Sequence, residues 1–248
     1  MRTVIFVDYW NLQFTLQKEE GRDLGLTGPK LAEHRFLIDW FGLGPTLIQL
    51  AEKHASTADH ALDLDFQETR LYTSADPDDL TYKEFALHTL GDRPQTYVSC
   101  QDLRLKMNAE CPKCHAEIDA CPHCNSAISA HHEKGVDTLM VTDLLCMGIS
   151  KRYDVAILVT QDSDMTPAVV YLESQGIRVI HIGLKHYGTA LARQCWSSFD
   201  LFPLRQHIDR RKVTRHLCTS GGRATRHPVN PVMSAALGAA LRGIHSDD

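Results

Sequence analysis

The chain has 248 residues, of which 43% are hydrophobic and 23% charged, and its net charge is -5. This length suits one large α/β domain with a small insertion, and the composition excludes a disordered or fibrous chain. No apolar run approaches the ~20 residues that a membrane helix needs, and the first strand begins too early to leave room for a signal peptide. We therefore expect a cytoplasmic protein with no membrane partner.

The predicted elements begin with a strand. Residues 3–7 form a short run of β-branched and aromatic side chains, which is typical of a buried parallel strand. Glycines and prolines recur between residues 12 and 44, so the helices there are predicted to be short or interrupted. Pro45 suits the first turn of a helix that ends near Lys53.

Two further strands and a helix are predicted next. Residues 66–73 and 95–106 read as strands. Between them, the acidic run that starts at Asp76 favours the beginning of a helix that ends near Leu90, because negative charge is stabilised at a helix N-terminus.

The second half of the chain continues this alternation. An apolar helix is predicted over 136–149 and a buried strand over 155–160. Thr166 and Pro167 are expected to be the N-cap and first residue of a helix that ends at Gly176, and a strand over 177–182 and a short helix over 189–196 follow. Strands that alternate with helices predict a mostly parallel α/β sheet with helices on both faces.

The C-terminal part has a different character. No strand is predicted beyond Pro203. Residues 205–226 carry seven Lys and Arg residues against one acid, which is compatible either with phosphate contacts or with a simply solvated segment. Residues 219–231 are rich in Gly, Ser, Thr and Pro. We predict that residues 204–248 form a basic, partly flexible tail.

Carboxylates stand where such a sheet places its ligands. Asp8 ends the first strand, Asp162 and Asp164 follow the strand over 155–160, and Asp137 lies at the start of a helix. The carboxyl ends of the strands line the crevice of an open α/β sheet, so these acids are expected to converge. Gathered carboxylates raise their pKa values or bind a cation, and hard oxygen ligands suit Mg²⁺ or Mn²⁺. Each acid taken alone could instead cap a helix or loop.

Several short motifs occur in a fixed order. They are a strand with D-x-x-N (Val4 to Asn11), K-x-V-D followed by a further acid (Lys134 to Asp137, then Asp143), a strand end T-Q-D-S-D-M (Thr160 to Met165) and P-x-V before a glycine (Pro167, Val169, Gly176). In this order and spacing the chain resembles the NYN domain, or LabA-like, family of PIN-like metal-dependent nucleases. Gln161 stands where the family has Gly, and Met165 where it has Phe; both departures bear on whether the site is active.

The resemblance covers roughly residues 2–200 and implies a nuclease domain over residues 1–203 with a three-layer, Rossmann-like (PIN-like) fold. It implies an enzyme that hydrolyses phosphodiester bonds with a water that Mg²⁺ or Mn²⁺ activates. RNA is the implied substrate, and single-stranded DNA is the alternative. The implied metal ligands are Asp8, Asp137, Asp162 and Asp164. Asn11 and Asp143 complete the implied catalytic set, and Asn11 and Lys134 are the candidates for contact with a substrate phosphate.

Three of these residues keep a second interpretation. Asp137 and Asp143 are six residues apart, or ~120° around a helix axis, so they cannot both point squarely at one ion. Asp143 is therefore either an acid behind the metal ligands or a buried hydrogen-bonded group. Asn11 could be a turn residue that bonds its own backbone, and Lys134 an exposed lysine without a partner.

Two other functions remain open at this point. The same fold could serve as a non-catalytic module that binds nucleic acid or protein, with its acids kept for structure. The same acids could instead hydrolyse small phosphates. A homo-oligomer or a regulatory protein partner is compatible with either function.

Four of the eight cysteines form two C-P-x-C turns: Cys111, Cys114, Cys121 and Cys124. Each turn places two thiolates on one side of a tight loop, and two such turns complete a tetrahedral zinc site. Four protein ligands leave no open position, so this zinc is predicted to be structural. Disulfides are the alternative, which a cytoplasmic location disfavours. We predict a zinc-binding insertion over residues 108–127. Cys146, within an apolar helix, is predicted to lie in the core.

Overall fold

A computed structural model describes residues 1–56, 61–107, 109–110, 117–118, 129–132 and 135–213, with residues 114, 120, 123 and 125. In chain order its strands are β1 (Arg2–Asp8), β2 (Asp65–Ala75), β3 (Thr96–Asp102), β4 (Arg104–Met107), β5 (Ala109–Glu110), β6 (Glu117–Ile118), β7 (Ser129–His132), β8 (Val155–Val159), β9 (Arg178–Gly183) and β10 (Ser197–Asp200).

The helices follow the same alternation. They are α1 (Tyr9–Asp23), α2 (Gly28–Glu33), α3 (Leu43–Ala55), α4 (Leu80–Glu84), α5 (Val136–Ile149), α6 (Thr166–Ser174) and α7 (Thr189–Ala192), with a π-helix at Phe85–Leu90 and 3₁₀ helices at Ser163–Met165 and Phe202–His207. None of the helices in the described part of the chain has the length and apolar character that crossing a membrane requires.

A six-stranded sheet forms the centre of the molecule, in the order β10-β9-β8-β1-β2-β3. Every neighbouring pair in this sheet is parallel. The chain builds outward from β1 to one edge, then returns to the other side of β1 with β8. The strand order therefore reverses between β1 and β8, which is the point where open α/β sheets bind their ligands.

Helices cover both faces of the sheet, as predicted. Alternate residues of β1 point to opposite faces, so Ile5 and Val7 belong to one apolar core, and Val4 and Phe6 to the other. The first core contains residues of α1 and α3, and the second contains residues of α5 and α6. The predicted three-layer α/β architecture is thereby confirmed.

The helix after β1 is longer than the sequence predicts. Helix α1 has 15 residues and runs through Gly21, whereas the glycine pattern predicted short or interrupted helices. A Cβ added at Gly21 would lie 2.5 Å from Leu31 Cδ1. Gly21 therefore allows the close approach of α2 and does not end the helix. The prediction holds for α2, which has six residues.

Other boundaries also differ from the prediction. The strand expected over 95–106 breaks at Leu103, whose N–H donates to the carbonyl of Ala75, and β4 pairs with β7 outside the main sheet. Strand β10 has no predicted counterpart, since its sequence S-S-F-D lacks an apolar run. Thr166 is the first residue of α6, and Met165 takes the N-cap position predicted for it. Cys146 is exposed, so its assignment to the core was wrong.

The segment after β10 packs back on the domain. The N–H of Asp39 donates to the Ile208 carbonyl at 2.8 Å, and the N–H of Arg210 donates to the Leu37 carbonyl at 2.8 Å. Ile208 and Asp209 are each only 1% exposed. The folded part therefore continues past the predicted boundary at residue 203 to at least residue 213. The rest of the predicted tail lies outside the described residues.

Candidate functional site

The predicted site begins at the point where β1 and β8 lie side by side. Val7 pairs with Val159, so Asp8 and Thr160 follow at the same edge of the sheet. The Thr160 hydroxyl donates to Asp8 Oδ2 at 3.3 Å and accepts the N–H of Asp162 at 3.2 Å. Thr160, which sequence reasoning did not single out, thus links the acids that follow the two strands.

The first turn of α1 adds a second link. Asp8 is the N-cap residue of α1 and accepts the N–H of Asn11 at 3.1 Å. The Asn11 Oδ1 atom accepts the N–H of Gln161, 150 residues away, at 3.0 Å. Asn11 therefore joins α1 to the loop after β8, and it does not bond its own backbone as the alternative interpretation required.

The loop after β8 carries two of the acids. Asp162 accepts the N–H of Asp164 at 2.9 Å and so caps the 3₁₀ helix Ser163–Met165, while Asp164 itself is exposed. Met165 is completely buried in the second core, so its side chain there has a packing role. The Gln161 Oε1 atom accepts the N–H of Leu184 at 3.1 Å, which directs this side chain toward the end of β9.

His181 holds the same loop from the neighbouring strand. It is 1% exposed, and its Nε2 atom lies 2.9 Å from the Thr160 carbonyl. Because a carbonyl only accepts, Nε2 carries the proton. Burial lowers the pKa of His181, although the bond to Thr160 opposes this. The sequence did contain a signal, namely one histidine within the apolar strand R-V-I-H-I-G.

Close packing around His181 depends on a glycine. Gly188 has φ +71°, and a Cβ there would lie 3.0 Å from His181 Cε1 and 3.2 Å from Gln161 Oε1. Among the described residues, His181 Nδ1 and Gln161 Nε2 are buried without a hydrogen-bond partner. The end of β9 therefore packs tightly against the loop that carries Asp162 and Asp164, which we call the acidic loop.

Asp137 contributes a carboxylate from the second face of the sheet. It is the second residue of α5, after Gly135, which has φ 93° and offers no side-chain cap. The pKa of Asp137 is raised, first by burial and then by the negative charges of Asp162 and Asp164. Side chains from a helix and from a strand-end loop are thus close enough to repel one another.

Asp143 has different surroundings. Its Oδ2 atom accepts from Arg70 Nη1 at 2.8 Å and from the Tyr72 hydroxyl at 2.8 Å, and both partners belong to β2. This placement agrees with the ~120° that separates Asp143 from Asp137 around α5. The structure therefore gives Asp143 an ion pair, in line with its interpretation as a hydrogen-bonded group.

The donor set of the candidate site fits a hard divalent cation. It consists of carboxylate oxygens, which suit Mg²⁺ or Mn²⁺, and their mutual repulsion is the condition that a cation relieves. Within the described ranges, no three His, Cys, Asp or Glu side chains lie close enough together to hold a metal ion. A shared ion therefore requires rotation of these carboxylates toward one another.

Two further predictions fall on residues whose placement is not described. Lys134, the candidate phosphate contact, lies outside the described residues. So do three of the predicted zinc ligands, Cys111, Cys121 and Cys124, while Cys114 is exposed. The phosphate contact and the zinc insertion stay predictions.

Comparison with known proteins bears on the family resemblance. A solved structure of a protein of unknown function from Vibrio parahaemolyticus is similar to this chain, with 13% identical residues, 81% of this chain and 92% of that chain covered, and a TM-score of 0.45. No curated protein matches the sequence. Residues 109–202 match the family model of the NYN domain. This part of the chain is therefore similar to the NYN domain, the family that the motifs predict.

Proposed function

We propose that this protein is a metal-dependent nuclease that hydrolyses phosphodiester bonds in RNA. The observation that carries the proposal is that Asp137 is near enough to Asp162 and Asp164 to be repelled by them at the reversal of strand order. Thr160 links Asp8 to Asp162 at the same place. A crevice at this place in a parallel sheet is where such folds bind ligands. The NYN match over residues 109–202 supports nuclease chemistry.

Each acid has a role in this proposal. Asp8, Asp137, Asp162 and Asp164 would hold Mg²⁺ or Mn²⁺. When bound, such an ion lowers the pKa of water and offsets charge on a scissile phosphate. Asn11, whose Oδ1 atom is fixed by the N–H of Gln161, would present its amide N–H groups to a phosphate oxygen.

Helix capping is compatible with this role. Asp162 accepts a single N–H, through Oδ1, from the described residues, whereas an ionised carboxylate offers about four lone-pair sites. The capping bond fixes the orientation of the carboxylate and leaves it able to bind a cation. A preorganised acid loses less freedom on binding than a mobile one.

The proposal is tested with the variant Asp162→Asn, which keeps the size of the side chain and a capping oxygen. We expect Mg²⁺- or Mn²⁺-dependent cleavage of labelled single-stranded RNA by the wild-type protein, its loss in EDTA, and a decrease of about a hundredfold or more in the variant. Asp92→Asn, at an exposed turn, is the matched control and should cleave normally.

Single-stranded DNA and a generic phosphomonoester are assayed in parallel. Faster cleavage of DNA than of RNA would identify DNA as the substrate. Turnover of the phosphomonoester alone would identify the protein as a small-phosphate hydrolase. RNA cleavage that persists in Asp162→Asn or in EDTA would contradict the proposed chemistry.

A further inference from the structure

Three aromatic rings stack beside the candidate site. The rings of Tyr82 and Trp10 have centroids 5.2 Å apart at 27°, and those of Trp10 and Phe14 lie 4.8 Å apart at 17°. Trp10 and Phe14 are four residues apart on α1, so they lie on the same face of the helix. The stack therefore runs outward from Tyr82 through Trp10 to Phe14.

The inner end of this stack is fixed. Tyr82 is 6% exposed, and its hydroxyl lies 2.7 Å from that of Thr73. The Trp10 Nε1–H donates to the Ser74 carbonyl at 2.8 Å. Both bonds attach the inner rings to the end of β2, which gives the stack a defined orientation at low conformational cost.

The outer end is different. Phe14 is partly exposed and belongs to neither apolar core of the described structure, whereas Trp10 packs against the larger core. Trp10 is the one ring that stacks on Phe14 within the described ranges. A rigid aromatic stack thus ends in a ring at the surface.

The stack and the acids lie on opposite sides of Asp8. The aromatic rings attach to β2, while Thr160 and the acidic loop follow β8, and β1 separates these two strands in the sheet. Asn11, which contacts the acidic loop, precedes Phe14 by three residues, or about 4.5 Å along the helix axis. A nucleic-acid strand that crosses the ends of these strands would meet both features.

We propose that Phe14 continues the ring stack onto a nucleobase of a single-stranded substrate, next to the phosphate that the acids bind. This inference rests on the proposed nuclease function and specifies its substrate class. Every base has an aromatic face, so stacking tolerates any sequence. A duplex keeps those faces within its own stack, so the site selects single strands with unstacked bases.

The test is the affinity of fluorescently labelled single-stranded RNA in EDTA, measured by fluorescence anisotropy. We expect Phe14→Leu to weaken binding by about tenfold and Phe14→Trp to retain it, because both variants are apolar but only the second can stack. The control is Phe41→Leu, which removes a 39% exposed ring that packs on Arg93 ahead of β3. It should leave the affinity unchanged.

An RNA with abasic sites separates stacking from other effects of the substitution. Abasic positions should weaken binding by the wild-type protein and have little further effect on Phe14→Leu, since the stacking contact is already lost. Unchanged affinity in Phe14→Leu, equal losses for single-stranded and duplex RNA, or absence of any binding would overturn the inference.

The two proposals fail separately. If Phe14→Leu binds RNA normally and Asp162→Asn abolishes metal-dependent cleavage, the stacking proposal is wrong and the nuclease proposal stands. If Phe14→Leu binds RNA more weakly and the wild-type protein cleaves nothing, the stacking contact stands and the proposed nuclease function is wrong.

Discussion

Two acids of the same helix have opposite electrostatic surroundings. Asp137, near the start of α5, faces the negative charges of Asp162 and Asp164, whereas Asp143 is bonded to the Arg70 guanidinium and the Tyr72 hydroxyl. The first arrangement is unfavourable to an ionised carboxylate and the second is favourable. A cation-binding site contains such unfavourable charge when no ion is bound, whereas an ion pair contributes to stability.

This contrast predicts opposite effects of the same substitution. Asp137→Asn should raise the melting temperature at neutral pH by a few degrees, because it removes a repelled charge. Asp143→Asn should lower it by roughly 2–4 °C, since a charge-assisted bond worth about 1 kcal/mol is lost. Thermal unfolding in EDTA measures both. Destabilisation by both variants would show that Asp137 is not under electrostatic strain.

The pH dependence of the first effect has a defined sign. The folded pKa of Asp137 lies above its unfolded value of about 3.9, so the native state binds this proton more tightly. The contribution of this group to stability is complete below about pH 3.9 and is lost as the pH rises through the folded pKa. The advantage of Asp137→Asn should therefore disappear as the pH approaches 4.

At the scale of elements, strand ends could be predicted and the bonds between loops could not. Asp8 and Asp162 follow apolar runs, and a parallel sheet places such residues at one edge. The support from His181 depends on the pairing of β9 with β8, which the strand pattern does not specify. Likewise, the partner of Asp143 depends on how α5 is rotated over β2. Four-residue β10 was missed because its hydrogen bonds to β9, and not its side chains, define it.

The attachment of the acidic loop to β9 predicts sensitivity to acid. His181 is buried with a lowered pKa, so below its unfolded value of about 6.5 the unfolded chain binds the proton more strongly. Its contribution to stability is present above about pH 6.5 and is lost as the pH falls. His181→Gln keeps an N–H donor for the Thr160 carbonyl but cannot titrate.

We therefore expect the free energy of unfolding to fall less between about pH 7 and pH 5.5 in His181→Gln than in the wild-type protein, by up to about 1 kcal/mol. Urea unfolding at the two pH values measures the difference. The exposed His54 is the control, and His54→Gln should follow the wild-type curve. If the free energy of unfolding falls as much in His181→Gln as in the wild-type protein, His181 does not cause the pH dependence.

At the scale of the whole molecule, the segment after β10 closes the domain over the end of α1. The Arg211 Nε atom donates to Asp209 Oδ1 at 2.8 Å, and its Nη2 atom donates to Glu20 Oε2 at 3.2 Å. Glu20 also lies 2.9 Å from His34 Nε2. Asp209 and Glu20 are both buried, so their charges depend on these partners.

Two truncated chains test whether this segment belongs to the folded unit. A chain of residues 1–203 ends at the boundary predicted from the sequence, and one of residues 1–213 ends at the last described contact. We expect the shorter chain to be less stable by at least about 3 kcal/mol, or roughly 10 °C in melting temperature, since it loses the burial of Ile208 and the Arg211 partner of Glu20. Arg211→Ala in the full chain should lower the melting temperature by less than the truncation at residue 203 does. Equal melting temperatures for the two truncated chains would place the domain boundary at residue 203 after all.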